Sequence, residues 1–161
     1  MPTGVFLALL RRTVQGCQCM SMQESAKTAF PAMTLPEAHD VIAPDGSEVR
    51  ILLSLPGGSM AHFRLGPGQV SAAVRHRTVE EIWYILSGQG EMWRAAGSVE
   101  TVTALAPGTC LSIGIGTAFQ FRAGDAEALA AVAITMPPWP GDDEAEFVPG
   151  RWTPVIGRGG T

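Results

Sequence analysis

Gly68-Gln-Val-Ser-Ala-Ala-Val-Arg-His-Arg-Thr-Val-Glu-Glu-Ile-Trp-Tyr-Ile-Leu-Ser-Gly88 reads as two short strands joined by a turn. Val70 to His76 forms the first, and the large residues of Glu81 to Leu86 suit the second. Side chains alternate between faces along a strand, so Ala72, Val74 and His76 share one side. Glu81, Trp83 and Ile85 share one side of the next, and Tyr84 points away from them. The turn Arg77-Thr-Val-Glu80 brings His76 and Glu81 together and predicts a hydrogen bond between them.

The same rhythm continues in both directions. Upstream lie Val49–Leu55, closed by Pro56-Gly57-Gly58, and Ser59–Leu65, closed by Gly66-Pro67-Gly68. Within Ser59–Leu65, Ala61, Phe63 and Leu65 alternate with Met60, His62 and Arg64, and the sequence does not decide which set faces inward. Downstream, Ser87-Gly-Gln-Gly90 predicts a tight hairpin into Glu91–Arg94. Strands follow at Glu100–Leu105, Cys110–Ile115, Phe119–Arg122 and Leu129–Met136. Ala126–Ala131 has helical propensity, but the alternation after it favours strand. Short strands at regular spacing with turns between them predict an all-β sandwich or barrel.

Composition agrees. The 161 residues suit one domain. Gly 19 and Pro 12 make about a fifth of the chain, against roughly 12% in average usage, which argues against a helical bundle. Apolar residues are 46%, enough for a core. A net charge of −4 offers no basic field for a phosphate backbone, so no nucleic acid is expected as a partner. No apolar run approaches the ~20 residues of a membrane span, so no membrane is expected either. Three cysteines, at 17, 19 and 110, give no disulfide framework and fit a reducing compartment. Val5–Leu10 is apolar, but Arg11-Arg12 follow it, the reverse of a secretory signal. The expected location is cytoplasmic. Residues 1–40 are read as an N-terminal extension, 41–137 as the β-domain and 138–161 as a Pro-rich tail. Trp139 and Trp152 could pin that tail to its own domain or to a second subunit.

Two windows carry a family resemblance. In the first, Gly68, His76, Glu81 and Gly88 fall at the offsets of the first cupin motif. The second is Leu105-Ala-Pro-Gly-Thr-Cys-Leu-Ser-Ile-Gly-Ile-Gly-Thr-Ala-Phe-Gln-Phe-Arg122. Together they resemble the cupin superfamily over roughly residues 47–136. The resemblance implies a cupin-type jelly-roll β-barrel, often paired into a homodimer. Metal-binding cupins use three histidines and a glutamate. Here the first histidine position falls on Val74 and the second on His76. The glutamate falls on Glu81, with Glu80 adjacent, and the third histidine on Phe119 or, one residue earlier, Ala118. Gly114 stands where the second motif has proline. The implied metal ligands reduce to His76 and Glu81, a weak site unless His62 or Gln120 joins.

The cofactor expectation is therefore none, or a weakly bound divalent metal. The partner expectation is a small molecule, in a pocket of Val74, Trp83, Phe119, Gln120 and His62, with His76 and Glu81 as acid and base. Three functions remain open at this point. They are a small-molecule binder with a degraded metal site and metal-free acid–base chemistry, a metal-dependent isomerase or oxygenase, and a non-catalytic interaction subunit.

Overall fold

The computed structural model describes residues 30–156. The readings of Val5–Leu10, Cys17 and Cys19 lie outside them. The compact β-unit begins at Met33. Among the described residues eleven strands form two antiparallel sheets. One has the order β1 (Val41–Ile42), β2 (Glu48–Leu55), β3 (Gly58–Leu65), β10 (Leu129–Met136), β5 (Glu80–Ser87), β8 (Cys110–Ile113). The other has β11 (Ala145–Phe147), β4 (Val74–His76), β9 (Ala118–Ala123), β6 (Gly90–Ala96), β7 (Val99–Leu105). This is the expected jelly-roll layering, but the sheets do not close into a barrel.

Period two explains both inner faces. On β5, Glu81, Trp83 and Ile85 are buried while Ile82, Tyr84 and Leu86 are exposed. Phe119, Phe121 and Ala123 supply the core side of β9. On the central strand β10 the inward positions Ala131 and Ala133 are small. They leave room for the Trp83 indole to reach across from β5 and stack on Phe63 of β3, centroids 4.9 Å apart and planes 27° apart.

Two local readings are corrected by the pairing. Ser87–Gly90 is not a hairpin, because β5 pairs with β10 and β8 while β6 pairs with β7 and β9. The segment carries the chain from one sheet to the other. Gly88 takes φ 77, and a Cβ there would lie 2.3 Å from the Ala128 carbonyl oxygen, so glycine is required by both conformation and space. His76 and Glu81 likewise belong to opposite sheets and face one another across the interior. The strand expected over Val70–His76 shortens to β4, with Val70 held by isolated bridges to Arg122 and Val155. Strand β10 starts at Leu129, after a bend.

The segment after Pro137 packs on its own domain. β11 pairs with β4, placing Ala145 beside His76. Trp152 is held by Gln120 through both backbone groups.

Candidate functional site

The site lies where β4 and β5 approach from opposite sheets. One cross-strand row on the β5 sheet holds Ser59, Thr135, Glu81 and Ile113 in register. The facing row holds Val74, Phe119 and Arg94, with His76 two residues beyond Val74. The crossover between β4 and β5 is pinned by Glu144, which accepts hydrogen bonds from Thr78 N (2.5 Å), Thr78 Oγ1 (2.7 Å) and Val79 N (2.9 Å). This carboxylate, 5% exposed, ties the connection between the two strands to the C-terminal segment. Burial works against its charge, but the three hydrogen bonds and the nearby His76 hold its pKa below the usual range.

His76 and Glu81 are 5% and 2% exposed. Nδ1 of His76 stands 3.8 Å from Oε1 of Glu81, too far for a hydrogen bond. The expected His76–Glu81 bond is thus replaced by another. Trp83 Nε1 donates to Glu81 Oε2 at 2.7 Å, which parity allows because both residues face inward. His76 Nδ1 is buried and has no hydrogen-bond partner. Phe119 and Trp139 both meet the imidazole edge-on, centroids 5.1 Å away.

Burial dominates the electrostatics of the pair. Desolvation carries Glu81 up to about 7, with the Trp83 hydrogen bond opposing and the Asp45 carboxyl adding to it. Desolvation takes His76 down to about 4, with Glu144 opposing. The site therefore resists charge on either group.

Two expected pocket residues lie elsewhere. His62 faces out of the β3 sheet beside Arg50, its cross-strand partner, because Ala61, Phe63 and Leu65 take the inward positions. Gln120 faces out of β9, between inward Phe119 and Phe121. There it donates to Ser71 O and Trp152 O and accepts from Trp152 N, each at 2.8 Å. It is a clamp for the C-terminal segment. Val74, Trp83 and Phe119 are inward and belong to the buried hydrophobic core. Trp139 is the aromatic neighbour of His76 that strand parity could not reveal. It reaches the site from the Pro-rich segment, and its backbone N donates to Ser59 Oγ, which shares a 2.6 Å hydrogen bond with Thr135 Oγ1.

The donor set does not fit the metal that the fold suggests. Among the described residues no group of three or more His, Cys, Asp or Glu could hold an ion. One oxygen of Glu81 is taken by an indole N–H, and a phenyl ring packs where a third ligand would stand. His62 and Gln120, the other candidate donors, point outward. Two donors do not make a metal site of ordinary affinity.

Comparison with solved structures places this geometry on a known scaffold. A protein of Klebsiella pneumoniae with a double-stranded β-helix domain matches with TM-score 0.58 and 16% identity, over 75% of this chain and 99% of that one. Ectoine synthase of P. lautus matches with TM-score 0.61 and 18% identity, over 82% and 96%. The capsular polysaccharide assembling protein CapF of Staphylococcus aureus matches with TM-score 0.60 and 14% identity, over 73% of this chain but 35% of CapF. No family model matches the sequence, and no curated protein matches it. The chain has the double-stranded β-helix fold of the cupins. Among the described residues no helix is long and apolar enough to cross a membrane.

Proposed function

We propose that the protein binds a small, flat molecule at the mouth beside Trp139 and handles its proton through His76 and Glu81 without a metal. The observation that carries this reading is the buried, unpartnered Nδ1 of His76 facing Glu81 inside an aromatic enclosure. Aromatic walls with a few converging polar groups are how small-molecule sites are built. With Nδ1 turned to Glu81, Nε2 is the nitrogen left to meet a ligand.

The chemistry is a relay. Above about pH 7, Glu81 is a carboxylate and the proton of the neutral imidazole sits on Nδ1, leaving the Nε2 lone pair as base. Nε2 takes a proton from the ligand while Nδ1 passes its own to Glu81. The products are the deprotonated ligand, a neutral imidazole protonated on Nε2, and a carboxylic acid. Imidazolium, which burial disfavours, never accumulates. The 3.8 Å gap must close by about 1 Å for the transfer, a tightening that ligand binding commonly supplies.

The test is the tautomer of His76, read by ¹⁵N NMR across pH 7. The expected result is Nδ1–H above and Nε2–H below, lost in Glu81→Gln. One tautomer throughout the range would overturn the relay. Binding is read with phenol and benzyl alcohol as probes, which should shift the His76 and Trp139 signals. Probes that shift neither exclude the mouth as the site.

A second reading, pairing with another copy of the chain, is favoured by the outer face of the β5 sheet. Ile82 (42% exposed), Tyr84 (47%), Leu86 (43%) and Ile134 (36%) stand at positions where alternation normally puts polar groups. Sedimentation should show a dimer that Ile82→Glu with Tyr84→Glu dissociates. A monomer in the unsubstituted protein at micromolar concentration rejects this pairing.

A further inference from the structure

Carboxyl groups surround His76. Glu81 stands 3.8 Å from it, the Glu144 charge acts on it, and the Asp45 carboxyl acts on Glu81 in turn. Among the described residues six arginines are paired with carboxylates away from His76. Arg75 and Arg77 bind Glu146 on the outside of β4. Arg50 and Arg64 gather around Glu48 on the outer face of the other sheet. Arg122 binds Glu91, and Arg151 binds Glu100. Arg94 alone has inward parity, on the row of Phe119; it donates to the uncharged acceptors Ser112 O and Thr103 Oγ1, and its Nε is buried without a partner.

An anionic ligand at Nε2 of His76 would thus meet the carboxyl groups of Glu81 and Glu144, and among the described residues no arginine hydrogen-bonds to either. A cationic ligand meets the opposite situation. Its charge is attracted by Glu81 across a low-dielectric interior, where a charge pair is felt far more strongly than in water. The aromatic rings of Phe119 and Trp139 add a surface that suits a flat apolar body. The buried, unpartnered Nδ1 marks the point where the polar end of the ligand is coupled to Glu81.

We infer that the molecule taken by this site is a small amine with a flat apolar body, bound as its ammonium ion against the Glu81 carboxylate through His76. This inference rests on the proposed ligand-binding reading of the same mouth and names its ligand class. Binding the cation favours ionised Glu81, so below about pH 7 the complex must release a proton to solvent. A neutral ligand of the same shape releases none.

The experiment is calorimetric titration of the full chain with benzylamine, benzyl alcohol and benzoate at pH 6.5, repeated in buffers of different ionisation enthalpy. The expected result is benzylamine at least tenfold tighter than benzyl alcohol, a fraction of a proton released with the amine alone, and benzoate weakest. In Glu81→Gln the amine-to-alcohol ratio should collapse toward one and the proton release should vanish. Benzoate binding as tightly as benzylamine, or amine binding without proton release, overturns the amine assignment while leaving the mouth as a ligand site. No binding by any of the three overturns the site reading itself.

Discussion

Trp83→Ala is expected to cost about 4 kcal/mol, within the range for removing a large aromatic from a packed core. The indole is 1% exposed. It stacks on Phe63 and meets Phe121 at 5.1 Å and Phe119 at 6.5 Å. Beneath it the β10 positions are alanines, whose side chains are too short to move into the space. The cavity would remain open, and an open cavity sets the cost at the high end. The substitution also strips Glu81 Oε2 of its hydrogen bond, leaving a buried acceptor without a partner. Trp83→Phe separates the two effects. It keeps a ring in the stack and removes the N–H, so it should cost only about 1–2 kcal/mol. Because that N–H lowers the Glu81 pKa, the carboxyl should move above its present value of about 7 in Trp83→Phe, where a ring still keeps it buried. Urea denaturation at pH 6 measures the first quantity and ¹³C NMR of the Glu81 carboxyl the second. A loss below about 2 kcal/mol for Trp83→Ala would mean the core collapses around the gap.

Trp83 also shows how much of the site the sequence disclosed. Its place beside Glu81 follows from parity alone, since residues two apart on a strand share a face. The same rule set Tyr84 outside, and it could have excluded Gln120, which sits between two inward phenylalanines. For His62 the rule was silent because both faces of its strand mix apolar and polar residues. The hairpin at Ser87–Gly90 failed for another reason. A glycine-rich break looks alike whether the chain folds back in one sheet or crosses to a second, and only pairing with distant β10 and β9 distinguishes them. Trp139 has no local signal at all. Its contact with His76 spans a Pro-rich stretch without period, so nothing in its neighbourhood says where the indole will land.

The second large effect concerns pH, and it arises from two opposing terms. Glu81 titrates at about 7 in the fold against an ordinary 4.5. Between those values the native state binds more protons than the unfolded chain, so stability falls as pH rises through that window. His76 titrates at about 4 against 6.5. Between those values the native state binds fewer protons, so stability rises with pH. Each term amounts to about 3 kcal/mol. From pH 4.5 to 6.5 they run in opposite directions and nearly cancel, so this pair leaves the stability of the intact protein almost flat there. Single substitutions expose the hidden slopes. Glu81→Gln retains an acceptor for the Trp83 N–H and cannot ionise. It should stabilise the protein by about 3 kcal/mol at pH 8, with stability rising from pH 4 to 6.5 as His76 alone dictates. His76→Gln should show the reverse, a decline from pH 4.5 to about 7. The double variant should return to a flat line. Chemical denaturation at half-unit pH steps provides all four curves. If Glu81→Gln gains nothing at pH 8, the carboxylate is not being forced to ionise in a dry site. The relay proposed for His76 would then lose the proton acceptor poised near neutrality on which it depends.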